Sequence, residues 1–265
     1  MYESYWGLTE KPFHNTPDPR FLYYSEQHRE VLSRLTYAVQ ERVGAAMLTG
    51  VFGSGKTLIA RTVLSELSGE RFRCAYVANP RLDDVDLLRM IFYQLTAAAA
   101  PERKTDVLNA LGEVLVNNVR NGKDVVVIID ETHTIDDPNV IEELRLLLNF
   151  QMENRFLLTL LLLGQPELKA KVEKNVQLEQ RINIKCHLEN LNAADTKNYI
   201  EHRLKVAGAS RPIFTEEAVA LITSHSGGIP RRINRLCDVC LLAGFGKQAK
   251  KINATIVEEE IEGLK

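Results

Sequence analysis

Residues Gly50-Val51-Phe52-Gly53-Ser54-Gly55-Lys56-Thr57 set three glycines, a lysine and a hydroxyl in the spacing GxxxxGK[ST]. Glycines let a backbone turn so that several N–H groups point inward at one anion. A helix beginning at Lys56 adds its positive N-terminal end. In such a loop Lys56 reaches the β- and γ-phosphates of ATP, the Thr57 hydroxyl ligates Mg²⁺, and Leu58 is the next residue of the grip. From average residue usage the pattern arises in roughly one random chain of this length in a hundred. Its setting adds weight: Ala45-Ala46-Met47-Leu48-Thr49 is a short apolar run that reads as a buried strand.

Asp130 and Glu131 carry the second chemistry. They follow Val125-Val126-Val127-Ile128-Ile129, apolar at every position, as a parallel strand covered on both faces would be. Carboxylates there face the crevice at the carboxyl ends of the strands, where ligands bind in open α/β sheets. Asp130 is expected to hold Mg²⁺ through water. Glu131 is expected to orient and activate an attacking water, which favours an ATPase over a protein that only binds nucleotide. Three polar residues stand where they could complete the site: Gln165 directly after Gly164, Asn79 at the end of a strand, and Arg181 just ahead of another.

These groups need a scaffold, and the hydrophobic pattern supplies one. Pro12, Pro17 and Pro19 rule out a long helix in the lead-in, and Ser25 caps a helix over 26–41. Strands are expected at 45–49, 72–78, 125–129, 156–163 and 184–188, alternating with helices at 56–67, 85–99, 102–121 and from Pro138. Beyond about residue 191 strand signals stop, and helices are expected at 193–206, 215–225, 230–247 and 253–262. The chain therefore divides into a lead-in and first helix (1–42) that packs on the nucleotide site, an α/β nucleotide-binding core (43–190) and a helical lid (191–265).

Composition is that of an ordinary globular protein, with 265 residues, 45% hydrophobic, 26% charged and a net charge of −2. Bulk charge gives no sign of nucleic-acid binding. The N-terminus lacks the basic start and apolar run of a signal peptide. The longest apolar run, Phe156 to Leu163, is too short for a bilayer, which needs roughly 20 residues. A cytoplasmic protein is expected. Cys237 and Cys240 have CxxC spacing, but Leu236, Val239 and Leu242 around them make them core residues of a helix.

Together these landmarks resemble the AAA+ superfamily. The resemblance implies a P-loop core with a five-stranded parallel sheet in the order 5-1-4-3-2 and an all-α lid. It makes Gln165 a sensor-1 residue, Asn79 a partner that holds the catalytic glutamate idle, and Arg181 an arginine finger acting in trans. Gly227-Gly228-Ile229-Pro230-Arg231-Arg232-Ile233-Asn234 matches the sensor-2 motif, with Arg231 at the sensing position.

A narrower resemblance lies in Tyr5-Trp6-Gly7-Leu8, Lys11-Pro12-Phe13, Thr16 to Tyr23, His28, Leu162 to Leu168 and Leu178 to Ile182. These segments look like the general secretion pathway protein A (ExeA-type) ATPases, which serve secretion, pilus and surface-export loci. The resemblance implies a nucleotide-dependent homo-oligomer and an envelope or secretion partner. Longer members carry a membrane helix and a peptidoglycan-binding domain, so the chain is expected to be either a lone ATPase or the cytoplasmic part of such a protein. Thr132 departs from the pattern, where alanine is common. The lead-in aromatics have two readings: they wrap the adenine, or Trp6 and Phe13 staple the lead-in to the core. The alternative function is a DNA-associated ATPase of the transposition-target or replication-initiator kind, supported by Arg231, Arg232 and Arg235.

Overall fold

The computed structural model describes residues 1–67, 69, 71–152 and 155–264; Lys265, at the end of the expected lid, lies outside them. Five parallel strands form one sheet: β1 (Ala45–Gly50), β2 (Phe72–Val77), β3 (Asp124–Ile129), β4 (Leu158–Gly164) and β5 (Ile182–Leu188). Their order is β2-β3-β4-β1-β5, the expected order read from the other edge. One detail differs. Phe156, expected to open the fourth strand, instead belongs to a short antiparallel pairing of Gln151–Met152 with Arg155–Phe156. Every residue of β1, β3 and β4 is buried, as strands covered on both faces require.

The amino end of β3 is pinned by charge. Asp124, 4% exposed, accepts from Arg42 Nε at 2.5 Å, Arg71 Nε at 3.2 Å and Arg155 at 3.4 Å. A buried carboxylate needs such partners to offset its desolvation.

The helices are α1 (Glu3–Trp6), α2 (Glu26–Gln40), α3 (Lys56–Glu66), α4 (Asp84–Thr96), α5 (Lys104–Arg120), α6 (Pro138–Leu147), α7 (Glu167–Lys174), α8 (Val176–Glu179), α9 (Ala193–Val206), α10 (Glu216–Ser226), α11 (Pro230–Gly246) and α12 (Ala254–Gly263). Side-chain caps explain where several begin: Asp83, Asp137, Asn192, Thr215 and Asn253 each accept a backbone N–H of the first turn. Among the described residues no helix is long and apolar enough to cross a membrane.

The chain forms two compact units. One comprises Arg29–Val51 and Ile59–Leu188 and contains the sheet. Its core joins β1, β3 and β4 to Leu87, Leu88 and Ile91 of α4, Leu111 and Leu115 of α5, and Leu144 and Leu147 of α6.

The other unit comprises Met1–His28, Phe52–Leu58 and Glu189–Lys265. The first 28 residues of the lead-in share one core with the C-terminal helices. Tyr2, Trp6, Leu8, Phe13 and Phe21 pack with Tyr199, Leu204, Phe214, Leu236 and Leu241. Trp6 Nε1 donates to Leu241 O at 2.9 Å. Buried Arg203 donates to Pro12 O at 2.5 Å, His14 O at 2.9 Å and Tyr199 Oη at 2.9 Å, and stacks over Phe21. Each guanidinium N–H so satisfied lowers the cost of burying that charge. Trp6 and Phe13 therefore staple the lead-in to the helical unit. Cys237 and Cys240 lie in the same core, and burial pushes both thiols up, Cys240 to about 12, as core residues.

Candidate functional site

Strand register along the carboxyl edge of the sheet positions the chemistry. β1 pairs with β4 so that Thr49 lies opposite Gly164, and β3 pairs with β4 so that Ile129 lies opposite Leu162. Gly50 therefore opens the glycine loop beside the point where Gln165 leaves β4. Asp130 and Glu131 leave β3 on the other side of β4.

Buried Asp130 is held on both oxygens: Oδ2 accepts from Tyr76 Oη at 2.8 Å and Oδ1 from Glu131 N at 2.8 Å. Burial first, then the Asp130 charge, pushes the Tyr76 phenol up, so it stays a neutral donor. Glu131 sits in the left-handed region at φ 52°, ψ 30°. For a residue with a Cβ this costs roughly 1–2 kcal/mol. The turn that follows offsets it: Thr134 N and Oγ1 bond Glu131 O at 2.9 and 2.8 Å. Thr132 Oγ1 donates to Ile129 O at 2.7 Å, so the hydroxyl that departs from the family pattern closes this turn.

His133, to which the sequence attached no role, lies in the same network. Its Nε2 is 3.5 Å from Glu131 Oε2 and 2.9 Å from the Gln165 side-chain amide, and Gln165 N donates to its Nδ1 at 3.3 Å. Tyr76 was likewise missed. Both contacts exist only because β2, β3 and β4 are neighbours, which no spacing in the sequence announces.

Asn79 Oδ1 accepts from Arg81 N at 3.3 Å in a local turn, and no Asn79–Glu131 hydrogen bond is present among the described residues. Arg181 donates to Asn149 Oδ1 at 2.6 Å and precedes Ile182, which pairs with Ala45 at the amino end of β1. The sheet places it on the order of 20 Å from the carboxyl edge.

Phe52–Leu58, which hold most of the glycine loop, belong to the helical unit. Gly53 and Gly55 have φ of +82° and +108°, which only glycine adopts without strain. Arg231, in the first turn of α11, donates its N–H to Gly53 O at 3.2 Å. Its guanidinium lies 4.7 Å over the ring of Phe52. A Cβ at Gly53 would stand 2.7 Å from Arg231 Cβ. Ser54 Oγ is fully buried without a hydrogen-bond partner, and Lys56 is 5% exposed. An orphaned hydroxyl, two left-handed glycines and a helix N-terminus form a cradle that fits a phosphate chain. His28 adjoins it, its Nε2 3.9 Å from a Cβ built at Gly55. Ser25 Oγ bonds its Nδ1 at 2.7 Å, and burial lowers its pKa to about 4, so the ring is neutral at pH 7.

Comparison with known proteins agrees with this architecture. Residues 39–172 match the model of the AAA domain family. Over its full length the chain is 38% identical to general secretion pathway protein A of Aeromonas hydrophila, and it spans 49% of that protein. Among solved structures it is similar to the Aeropyrum pernix ORC2 protein, described as ADPNP-ADP complexes, with TM-score 0.72 and 18% identity over 96% of this chain and 71% of that one. It is also similar to Cdc6p from Pyrobaculum aerophilum, with TM-score 0.72 and 14% identity over 91% and 67%. The Thermotoga maritima RuvB Holliday junction branch migration motor gives TM-score 0.60 and 21% identity over 91% and 70%. At these identities the structures establish the fold.

Proposed function

The chain belongs to the AAA domain family, and from that premise we propose that it is a Mg²⁺-dependent ATPase that works as an oligomeric switch or motor in assembling a bacterial secretion or surface-export system. The observation that carries the ATPase reading is the carboxyl edge of the sheet, where the glycine loop is rooted on β1 and Asp130–Glu131 on β3 with one strand between them. The secretion role is supported by the similarity to general secretion pathway protein A. ATP supply makes the cytoplasmic side its working side.

In this reading the loop amides and Lys56 hold the β- and γ-phosphates. Thr57 and Asp130, the latter through water, would hold Mg²⁺, which would neutralise charge developing on the phosphates. Glu131 orients the attacking water and accepts its proton. Gln165 and Arg231 contact the γ-phosphate from the sheet and from α11, and Asn79, once released from its local bond to Arg81 N, restrains Glu131 in the idle state. Arg181 serves a neighbouring copy. Its place at the amino edge of the sheet supports this, because an arginine side chain cannot span its own sheet.

The test is mass measurement of the chain with and without ATP and Mg²⁺, beside turnover of wild type and Lys56→Ala. Nucleotide-dependent assembly and Lys56-dependent phosphate release are expected. A single mass under all conditions sinks the oligomeric switch. Turnover that survives Lys56→Ala sinks the site.

Gly53→Ala is expected to weaken ATP binding by at least about tenfold. The new methyl meets Arg231 Cβ, and φ of +82° adds strain. Calorimetric titration with a non-hydrolysable analogue measures it, and unchanged affinity contradicts the loop geometry.

A further inference from the structure

We propose that His133 is a positioning residue that couples the Gln165 amide to the Glu131 carboxylate. The proposal rests on the reading of Glu131 as the base that orients water.

The donors and acceptors around the ring fix its protonation. Gln165 N–H can only donate, and it faces Nδ1 at 3.3 Å. Ionised Glu131 can only accept, and its Oε2 lies 3.5 Å from Nε2. The ring is therefore the tautomer with the proton on Nε2. A ring N–H facing an amide nitrogen at 2.9 Å would set donor against donor, so the Gln165 side chain presents its oxygen to the ring and turns its NH₂ outward. The one Nε2 proton then faces two acceptors, Gln165 Oε1 within hydrogen-bond reach and Glu131 Oε2 with 3.5 Å between the heavy atoms.

Sharing makes the two groups compete. Gln165 leaves β4 beside the root of the glycine loop, so an anion bound there attracts its free NH₂. When the amide swings toward that anion, its oxygen leaves the ring, and the Nε2–H passes wholly to Glu131. The carboxylate is then held in one orientation only when phosphate is present. The ring, 13% exposed, is packed tightly enough to keep this geometry.

Turnover and affinity for a non-hydrolysable ATP analogue, measured on the full chain, test the coupling. His133→Ala should lower kcat about 10–100-fold, the usual effect of an outer-shell partner, with affinity within about twofold. Gln165→Ala should also lower kcat, and the double variant should be no worse than the more severe single, because both cut one link. His133→Gln returns an N–H close to the Nε2 position and should recover part of the rate, whereas His133→Asn is too short and should not. Recovery by glutamine also excludes a folding defect as the cause. Wild-type kcat in His133→Ala, or losses that multiply in the double variant, overturn the coupling while leaving the base intact. Full turnover in Glu131→Gln removes the base itself, and the coupling with it.

Discussion

Arg181→Ala is expected to bind ATP within about twofold of wild type and to lose turnover by about 10³–10⁵-fold, the range an arginine finger supplies. Arg181 precedes β5 at the amino edge of the sheet, whereas Gly50, Asp130 and Gln165 leave the carboxyl edge. There its guanidinium donates to the neutral amide oxygen of Asn149. A subunit mixture makes the test specific. Arg181→Ala and Lys56→Ala should each be inactive alone. Mixed, they should regain activity, because the lysine variant's arginine can complete the arginine variant's intact phosphate grip. A mixture as inactive as its components, with both variants assembled, argues against action in trans. Wild-type turnover in Arg181→Ala alone removes the residue from the reaction.

Glu131→Gln should bring the second large effect. General-base catalysis contributes about 10²–10⁴-fold, and an amide cannot take the proton of the attacking water. Asp130 keeps its hydrogen bonds from Tyr76 and from position 131 in this variant, since the latter donor is backbone N–H. ATP and Mg²⁺ binding should therefore persist, and the assembled state should outlive that of wild type because its ligand is not consumed. Single-turnover phosphate release and mass measurement in the same sample read both effects. Loss of ATP affinity together with rate would show that Glu131 holds nucleotide rather than water.

Much of this was legible in the amino-acid order. The GxxxxGKT loop announces itself through residue types that only a phosphate cradle needs together. Three of the five core strands were legible because β1, β3 and β4 are buried on both faces and so read as unbroken apolar runs. What escaped was non-local. Tyr76 reaches Asp130, and His133 reaches Gln165, only through strand adjacency. Glu131 gives no sign of its positive φ, since glutamate has no preference for that region. α7 and α8, at eight and four residues, are too short for a helical period to show. Asn79 was placed at the right strand end but engaged locally, because asparagine's short amide readily bonds backbone two residues on.

The bond from Trp6 to Leu241 also sets a timetable. At about 5–20 residues per second, ribosomal synthesis delivers position 241 tens of seconds after position 6. Throughout that interval Tyr2, Trp6, Phe13 and Phe21 have no helical core to enter, while the sheet unit, complete at Leu188, can already condense. The helical unit is then the later of the two units to close. Trp6 is also the only tryptophan in the sequence. Its emission, shifting as the indole leaves water, is a built-in optical clock for that final step.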